Sequence, residues 1–228
     1  MITGASRGVG LAIARLLAQE GCALALAGRK AAGLRGAARQ LAAPANVLTA
    51  ACDVRDPASV QKFFAEVKRT FGKVDFLINN AGIAHELQPV AKLSVRAWND
   101  VITTNLTGMF LCTRAALPLM RRGGVIVNNL SIAAKRSFPG MAAYSASKHG
   151  ALGFTDTLRE ELRGEGVRVL ALIPGATATD IWDQFMPSAN RSKMLPPDAV
   201  AAAVVEALKA PPNTSVEEIR IMPTSGTL

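Results

Sequence analysis

The chain has 228 residues, of which 50% are hydrophobic and only 5% aromatic, and this fits one α/β domain with a core of Ala, Val, Leu and Ile. No apolar run approaches the ~20 residues that a bilayer-spanning helix needs, so we expect no membrane partner. The net charge of +9 comes from dispersed Lys and Arg without a basic block, which argues against a nucleic-acid partner and favours attraction of an anionic cofactor or substrate.

The three cysteines bear on location rather than on chemistry. Cys22, Cys52 and Cys112 have neither metal spacing nor an even count, so we predict no metal site. They lie in or beside strand-like and helical segments and are expected to be buried thiols. Because the sequence enters a structural motif at once, we also expect no signal peptide. Together these features predict a cytoplasmic protein.

A glycine-rich loop at residues 3–10 follows a very short strand and opens a helix at residues 11–19. Its glycines allow a tight turn, close approach of a ligand to the backbone and close helix–strand packing, and the helix N-terminus offers N–H groups to a pyrophosphate. Its place at a strand-to-helix junction favours a dinucleotide-binding loop over a simple glycine-rich turn. The predicted contacts are Gly4, Ser6, Arg7, Gly8 and Gly10.

The end of the second strand, residues 23–27, indicates which dinucleotide binds. Sites that prefer NAD place an acidic residue here to hold the ribose 2′-hydroxyl, but this sequence continues Gly-Arg-Lys. Arg29 stands at the ribose position and Arg7 lies in the glycine loop, and two guanidinium groups suit a 2′-phosphate. The sequence therefore predicts NADP(H) as the cofactor; simply solvated arginines are the alternative interpretation.

Strand and helix patterns alternate along the rest of the chain. This order predicts a Rossmann-type, doubly wound parallel β-sheet of about seven strands with helices on both faces, in a single domain spanning 1–228. Further strands are predicted at residues 47–52, 74–78, 125–127, 167–173 and 219–222, helices at 57–71, 94–110, 146–162 and 198–209, and a substrate loop at 176–196. Asn105 lies inside a helical pattern and competes for backbone hydrogen bonds, which predicts a local distortion.

The stretch from Ser131 to Lys148 carries the candidate chemistry. Tyr144 and Lys148 are four residues apart on a predicted helix, so they lie on one face, and Ser131 at the end of the fifth strand can meet them from the side. A nearby ammonium group favours phenolate, so we expect the pKa of Tyr144 to fall below its usual ~10. An ordinary surface Tyr–Lys pair is the alternative, but Tyr144 is the only tyrosine in the chain.

The whole chain, from the glycine loop to the last strand, resembles the short-chain dehydrogenase/reductase family. No single motif is specific, but the motifs occur in the family's order and on the expected elements. They are the glycine loop, Asp53-Val54, Asn79-Asn80-Ala81-Gly82, Asn105, Ser131, Tyr144-x-x-x-Lys148 and Pro174-Gly175-x-x-x-Thr179.

The resemblance implies a role for each matched residue. Tyr144 would be the acid/base, Ser131 would bind the substrate oxygen, and Lys148 would lower the tyrosine pKa and hold the nicotinamide ribose. Asn105 would hold a water in a proton relay to Lys148. The implied cofactor contacts are Asp53 and Val54 at the adenine, Asn80, Ala81 and Gly82 along the cofactor, and Pro174, Gly175, Thr177 and Thr179 at the nicotinamide end. The implied activity is hydride transfer between NADP(H) and a ketone, an aldehyde or a secondary alcohol.

The resemblance also implies a homotetramer, or a homodimer, built partly from the helices at residues 94–120 and 146–162. Met109, Phe110, Phe154 and Leu158 would contribute apolar surface there, although some of them must face the sheet.

Two rival functions stay open. A 3-oxoacyl thioester reductase would have an acidic carrier that the +9 charge suits, but Met222-Pro223-Thr224 replaces the Gly-Gly that follows the last strand in many such reductases. This favours a small carbonyl reductase or alcohol dehydrogenase. A cofactor-sensing protein without chemistry ranks last because Ser131, Tyr144 and Lys148 are all intact.

The predicted substrate loop contains four large apolar residues, Trp182, Phe185, Met186 and Met194. If they face the substrate, they suit an apolar or aromatic ketone. The alternative is that they pack the loop onto the domain.

Overall fold

The computed structural model describes residues 1–41 and 46–226, and seven β-strands in these ranges form one parallel sheet. The strands are β1 (Ile2–Thr3), β2 (Leu24–Gly28), β3 (Val47–Ala51), β4 (Phe76–Asn79), β5 (Val125–Asn129), β6 (Arg168–Pro174) and β7 (Glu218–Ile221). Their spatial order is β3-β2-β1-β4-β5-β6-β7. The order reverses between β1 and β4, which is the switch point of a doubly wound sheet, so the predicted fold class is confirmed.

The first strand is short but central. Ile2 pairs with Leu26 of β2 on one side and with Ile78 of β4 on the other, and all three side chains are fully buried. The backbone carbonyl of Met1 accepts a hydrogen bond from the N–H of Ile78 at 2.8 Å. The glycine loop that follows Thr3 therefore leaves the sheet at its middle, between the two halves of the fold.

Helices cover both faces of the sheet because its strands are apolar on both sides. The helices are α1 (Gly8–Gln19), α2 (Ala31–Ala38), α3 (Pro57–Phe71), α4 (Val95–Ile102), α5 (Gly108–Ala116), α6 (Ala142–Leu162), α7 (Trp182–Phe185) and α8 (Pro197–Leu208). Leu24 and Leu26 of β2 pack with α1, α2 and α8 on one face, while Ala25 and Ala27 point to the face covered by α3, α5 and α6. No helix within the described ranges is both long and apolar enough to cross a bilayer.

The sequence patterns miss two of these helices. The eight residues of α2 include two glycines, have no side-chain cap and bury only Leu34 and Ala37, so their apolar period is weak. The four-residue α7 lies inside the segment predicted as a loop. Most other ends shift by one to three residues, but α6 begins at Ala142, four residues before the predicted start, and this places Tyr144 in its first turn.

The distortion predicted at Asn105 is confirmed. A π-helical turn, Thr103–Thr107, joins α4 to α5, and the N–H of Gly108 donates to the carbonyl of Thr103, five residues back. The side chain of Asn105 is 1% exposed and points into the protein. The extra residue in this turn therefore places the polar side chain of Asn105 inside the protein, behind the carboxyl ends of the strands.

Two of the four residues predicted for an assembly surface belong to the core. Met109 and Leu158 are 5% and 3% exposed and pack against the sheet, whereas Phe110 is 42% exposed. Phe154 is half-buried and meets Phe110 edge to face, with 6.3 Å between ring centres. The candidate assembly surface therefore contains fewer apolar side chains than the sequence predicted.

The three cysteines are free thiols. Cys52 and Cys112 are buried, but Cys22 is only half-buried, so the expectation of burial is wrong for Cys22, which lies just before β2. Burial raises the pKa of the Cys52 thiol to about 11. This thiol therefore stays protonated and unreactive near neutral pH.

Candidate active site

A cavity of about 310 Å3 lies at the carboxyl ends of the strands on both sides of the switch point. All residues predicted as catalytic or cofactor contacts line it, except Gly10 and Asn105. The lining members of that set are Gly4, Ser6, Arg7, Gly8, Arg29, Asp53, Val54, Asn80, Ala81, Gly82, Ser131, Tyr144, Lys148, Pro174, Gly175, Thr177 and Thr179.

The glycine loop has the backbone geometry that a phosphate cradle requires. Gly4 and Gly8 have φ of +63° and +57°, a region that other residues rarely adopt. A Cβ at Gly10 would lie 2.4 Å from Asn80 Nδ2 and 2.6 Å from the Gly4 carbonyl oxygen, so only glycine fits there. The first turn of α1 has neither a side-chain cap nor an acidic residue. Its N–H groups are therefore free for an anion, which fits a pyrophosphate.

Asn80 holds the ends of three strands together around the cavity. Its Nδ2 donates to the carbonyl oxygens of Thr3 and Gly4 at 3.0 and 3.1 Å, and its Oδ1 accepts from Asn129 Nδ2 at 2.8 Å. The Thr3 hydroxyl in turn accepts from the backbone N–H groups of Asn80 and Ala81. The side chain of Asn80 thus positions the glycine loop, in addition to lining the cavity.

Arg29 and Arg7 differ in how they are held. Arg29 is exposed and makes no ion pair with any described residue, while Arg7 Nη1 donates to Asp180 Oδ2 at 2.9 Å. Because Asp180 follows β6, the Arg7–Asp180 ion pair links the glycine loop to the segment after β6. Within the described part of the chain, Arg29 is thus a cation without an ion pair at the predicted ribose position.

Arg55 is a third guanidinium in the cavity, and sequence reasoning missed it. It donates from Nε to Asp53 Oδ1 at 3.0 Å and from Nη2 to Asp53 Oδ2 at 2.7 Å, and it lies 3.5 Å from Asp100. The hydrogen bond from Arg55 is the main cause of the lowered pKa of Asp53. No motif marks an Arg two residues after an Asp; the turn after β3 brings the two together.

The three predicted catalytic side chains meet at one end of the cavity. Tyr144 and Lys148 lie one turn apart on α6 and are only 7% and 5% exposed. Lys148 Nζ donates to the Asn129 carbonyl oxygen at 2.8 Å and lies 5.6 Å from the centre of the Tyr144 ring. Ser131 follows β5 and interacts with the Tyr144 phenol through its hydroxyl. A phenol, a hydroxyl and an amine thus surround the same point.

The structure contradicts the expected lowering of the Tyr144 pKa. Burial raises the pKa of Tyr144 to about 12, and the interaction with Ser131 offsets only part of that rise. Burial also lowers the pKa of Lys148 to about 8. Desolvation dominates because the surroundings are apolar: the Phe185 ring packs edge-on against the Tyr144 ring, with 4.8 Å between centres.

Asn105 lies behind the cavity, where its side chain clamps two elements of the site. Its Oδ1 accepts from the N–H of Ile83 and its Nδ2 donates to the carbonyl of Ile83, both at 2.9 Å, and Nδ2 also donates to Ser147 Oγ at 3.0 Å. Ser147 then donates to the Tyr144 carbonyl at 2.7 Å. Ser147 was not predicted; the available signal was a serine inside a helix, where its hydroxyl seeks a local carbonyl.

The segment after β6 closes one side of the cavity. Trp182 Nε1 donates to the Thr177 carbonyl oxygen at 3.0 Å, which fixes the start of α7. Trp182 and Phe185 line the cavity, whereas Met186 is 41% exposed and Met194 is buried outside the lining. Both sequence interpretations thus apply: two of the four apolar residues face the cavity, and Met194 packs the segment down.

Comparisons with known proteins agree with this geometry. The family model described as short chain dehydrogenase matches residues 1–190. Sulfoacetaldehyde reductase 2 of Chromohalobacter salexigens is 36% identical, with 98% of this chain and 93% of that protein covered. The 3-oxoacyl-[acyl-carrier-protein] reductase of Synechocystis is 35% identical, with 90% and 86% covered.

A solved structure extends the similarity to the backbone. The alcohol dehydrogenase of the archaeon Thermococcus sibiricus, complexed with 5-hydroxy-NADP, is 33% identical, has a TM-score of 0.91, and is matched over 98% of this chain and 95% of that one. The glycine loop, the Ser–Tyr–Lys cluster and these matches over nearly the full length lead to one conclusion: the chain is an oxidoreductase that belongs to the short-chain dehydrogenase family.

Proposed function

We propose that this oxidoreductase uses NADP(H) and reduces a ketone or aldehyde, or oxidises a secondary alcohol, with Tyr144 as the acid/base. Family membership makes it an enzyme that acts on CH–OH or C=O groups. The observation that carries the proposal is a single cavity that combines a loop fit for a pyrophosphate with Ser131, Tyr144 and Lys148. Residues 1–228 would act as one catalytic domain, with 176–196 covering the substrate.

The residues of the chain manage the proton. The bound nicotinamide would supply or accept the hydride. Tyr144 gives a proton to the carbonyl oxygen during reduction and takes it from the alcohol during oxidation. Ser131 donates a hydrogen bond that fixes the same oxygen. Lys148, whose pKa is about 8, is largely protonated at pH 7, and its charge favours the phenolate in the step where Tyr144 has lost its proton.

The cationic side chains support NADP(H) over NAD(H). Arg29, Arg55 and Arg7 all line the cavity, and Arg29 has no acidic partner among the described residues. A 2′-phosphate would accept charge-assisted hydrogen bonds from Arg29 and, if the Arg7–Asp180 ion pair opens, from Arg7. The cofactor in the Thermococcus alcohol dehydrogenase, 5-hydroxy-NADP, agrees with this choice.

Arg29→Asp should reverse the cofactor preference. It removes the free cation and places a carboxylate where the 2′-phosphate would lie, so the ratio of kcat/KM for NADPH to that for NADH should fall about 100-fold or more, from losing a charged hydrogen bond and gaining repulsion. Arg35→Asp is the matched control, because Arg35 is exposed on α2 and does not line the cavity. Equal use of NADH and NADPH by the wild type would contradict the proposal.

The relatives suggest two other substrates. A 3-oxoacyl group on an acyl carrier protein, as in the name of the Synechocystis relative, is favoured by the net charge of +9, because such carriers are acidic. Reduction of acetoacetyl carrier protein with a kcat/KM that falls steeply with added salt would support it. Sulfoacetaldehyde, as in the name of the Chromohalobacter relative, is a third candidate, which would need a cation near Tyr144 to pair with its sulfonate. The same NADPH assay compares it with ketones.

We also propose a homotetramer that uses the outer side of α4, α5 and α6. Exposed apolar side chains there include Val95 at 75%, Trp98 at 39% and Phe110 at 42%. Light scattering at micromolar concentration should give four times the chain mass. Phe110→Asp should lower that mass, since it removes the exposed ring and puts a carboxylate where the interface would take it out of water. A wild-type monomer would contradict this assembly. A cytoplasmic location is supported by the three free thiols.

A further inference from the structure

The part of the cavity next to Tyr144 is apolar. Six side chains, here called the apolar wall, line the cavity and pack in one cluster with Tyr144: Ile83, Phe138, Met141, Ile181, Trp182 and Phe185. The Phe185 ring touches that of Tyr144, and the Trp182 and Phe185 rings have centres 5.8 Å apart. A carbonyl group placed at the Tyr144 hydroxyl would therefore carry its substituents against hydrocarbon.

The cations of the cavity come from the other half of the sheet. Arg7, Arg29 and Arg55 follow β1, β2 and β3, which form one half, whereas the apolar wall follows β4, β5 and β6. Lys148 is the only other Lys or Arg among the described lining residues, and its Nζ donates to a backbone carbonyl. The charged residues that adjoin the wall in sequence are two acids, Asp180, already paired with Arg7, and Asp183, paired with Arg191.

The wall is anchored rather than loose. The indole N–H of Trp182 donates to the Thr177 carbonyl, so it is not available to a substrate. The Gln184 side chain accepts from the N–H of Ala84 at 3.1 Å, which ties α7 to the chain that follows β4. These two bonds and the contact of Phe185 with Tyr144 keep the apolar surface facing the cavity.

We propose that the carbonyl substrate is neutral and carries an apolar group of about aromatic size, and that a carboxylate or sulfonate on that group is rejected. This inference rests on the proposed function. An anion on the wall would lose its hydration with no Lys or Arg among the wall residues to pair with, whereas an apolar group gains from leaving water. The discrimination is strong because binding the anionic substrate would leave its charge unpaired, which costs more than leaving part of the site unfilled.

A matched pair of ketones tests the inference with the wild-type enzyme and NADPH. Methyl 4-acetylbenzoate and 4-acetylbenzoate share the reacting carbonyl and the ring and differ in charge. We expect kcat/KM at least 100-fold higher for the neutral ester. The kcat/KM for acetophenone should also exceed that for acetone by at least 10-fold, since only acetophenone carries a ring that can pack against the wall.

A charge swap then tests the site. Met141→Lys adds a cation to the wall at nearly unchanged side-chain length. It should raise kcat/KM for the acid, so the ratio of kcat/KM for the ester to kcat/KM for the acid should fall at least 10-fold. Met186→Lys is the control, because Met186 is exposed and outside the cavity lining, and its ratio should stay at the wild-type value.

The outcomes separate this inference from the proposed function. A wild type that reduces 4-acetylbenzoate as well as its ester overturns the inference and leaves NADP(H)-dependent carbonyl reduction standing. A wild type that binds NADPH and reduces none of the ketones overturns the proposed function and the inference with it. A ratio that changes equally in both lysine variants overturns the assignment of the wall.

Discussion

Tyr144→Phe should lower kcat for ketone reduction by a factor of about 10²–10⁴, the usual contribution of a positioned acid or base. The substitution keeps the ring, and with it the edge-on contact with Phe185, so the fold should be unchanged. NADPH binding, measured by fluorescence titration, should survive because the glycine loop and Arg29 are untouched. No other phenol can replace it, since Tyr144 is the only tyrosine.

Ser145→Ala provides the control for this experiment. It removes a hydroxyl from the neighbouring residue. The Ser145 Oγ has no hydrogen-bond partner among the residues that the structure describes, and Ser145 does not line the cavity. Turnover of this variant should equal that of the wild type. Near-normal turnover in Tyr144→Phe would show that another group handles the proton.

Lys148→Met should impair catalysis and change how stability depends on pH. The buried amine has a pKa of about 8 in the folded protein, against 10.5 for an exposed lysine. Between these values the unfolded chain binds a proton that the folded chain does not, so raising the pH favours the folded wild type relative to Lys148→Met. We expect the difference in free energy of unfolding between the two proteins to shift by about 2 kcal/mol in favour of the wild type between pH 7 and pH 9.5.

Urea unfolding of both proteins at several pH values measures this shift. Comparison with the variant removes the contributions of other groups, such as the Cys52 thiol, because both proteins share them. Lys62→Met, at an exposed position on α3, should show no such shift. A pH-independent difference between the wild type and Lys148→Met would mean that Lys148 is not desolvated in the folded state. Turnover in Lys148→Met should fall together with weaker NADPH binding.

The fold was predictable because its signals are local and repeated. The buried strands β2, β4, β5 and β6 are continuous apolar runs between turn residues, and α3 has a clear apolar stripe with an Asp56 cap, whose carboxylate accepts from the N–H of Ala58. The helix α2 was not predicted because its glycines and small side chains give little hydrophobic periodicity. The distortion at Asn105 was predictable because an Asn is unusual within an apolar helical pattern.

The environment of the site was harder to predict than its membership. The spacing predicted that Tyr144, Lys148 and Ser131 lie close together, and they line one cavity. The sign of the Tyr144 pKa shift instead depends on how much apolar surface surrounds the phenol, which is a property of distant segments such as α7. Arg55 and Ser147 act through bonds that only the folded chain forms. Likewise, the helix pattern alone did not show that Met109 and Leu158 face the sheet while Phe110 faces outward.

The most direct test of Tyr144 as the acid/base is a titration of its phenol by nuclear magnetic resonance. Because the chain has one tyrosine, protein labelled with ¹³C at the tyrosine ζ carbon gives a single signal for Tyr144. The free protein should show a pKa near 12, that is, no titration up to pH 10.5. With saturating NADP⁺, the positive charge of the nicotinamide should lower that pKa to below 10. A Tyr144 pKa that is unchanged by NADP⁺, or a pKa near 10 in the free protein, would contradict the proposed site.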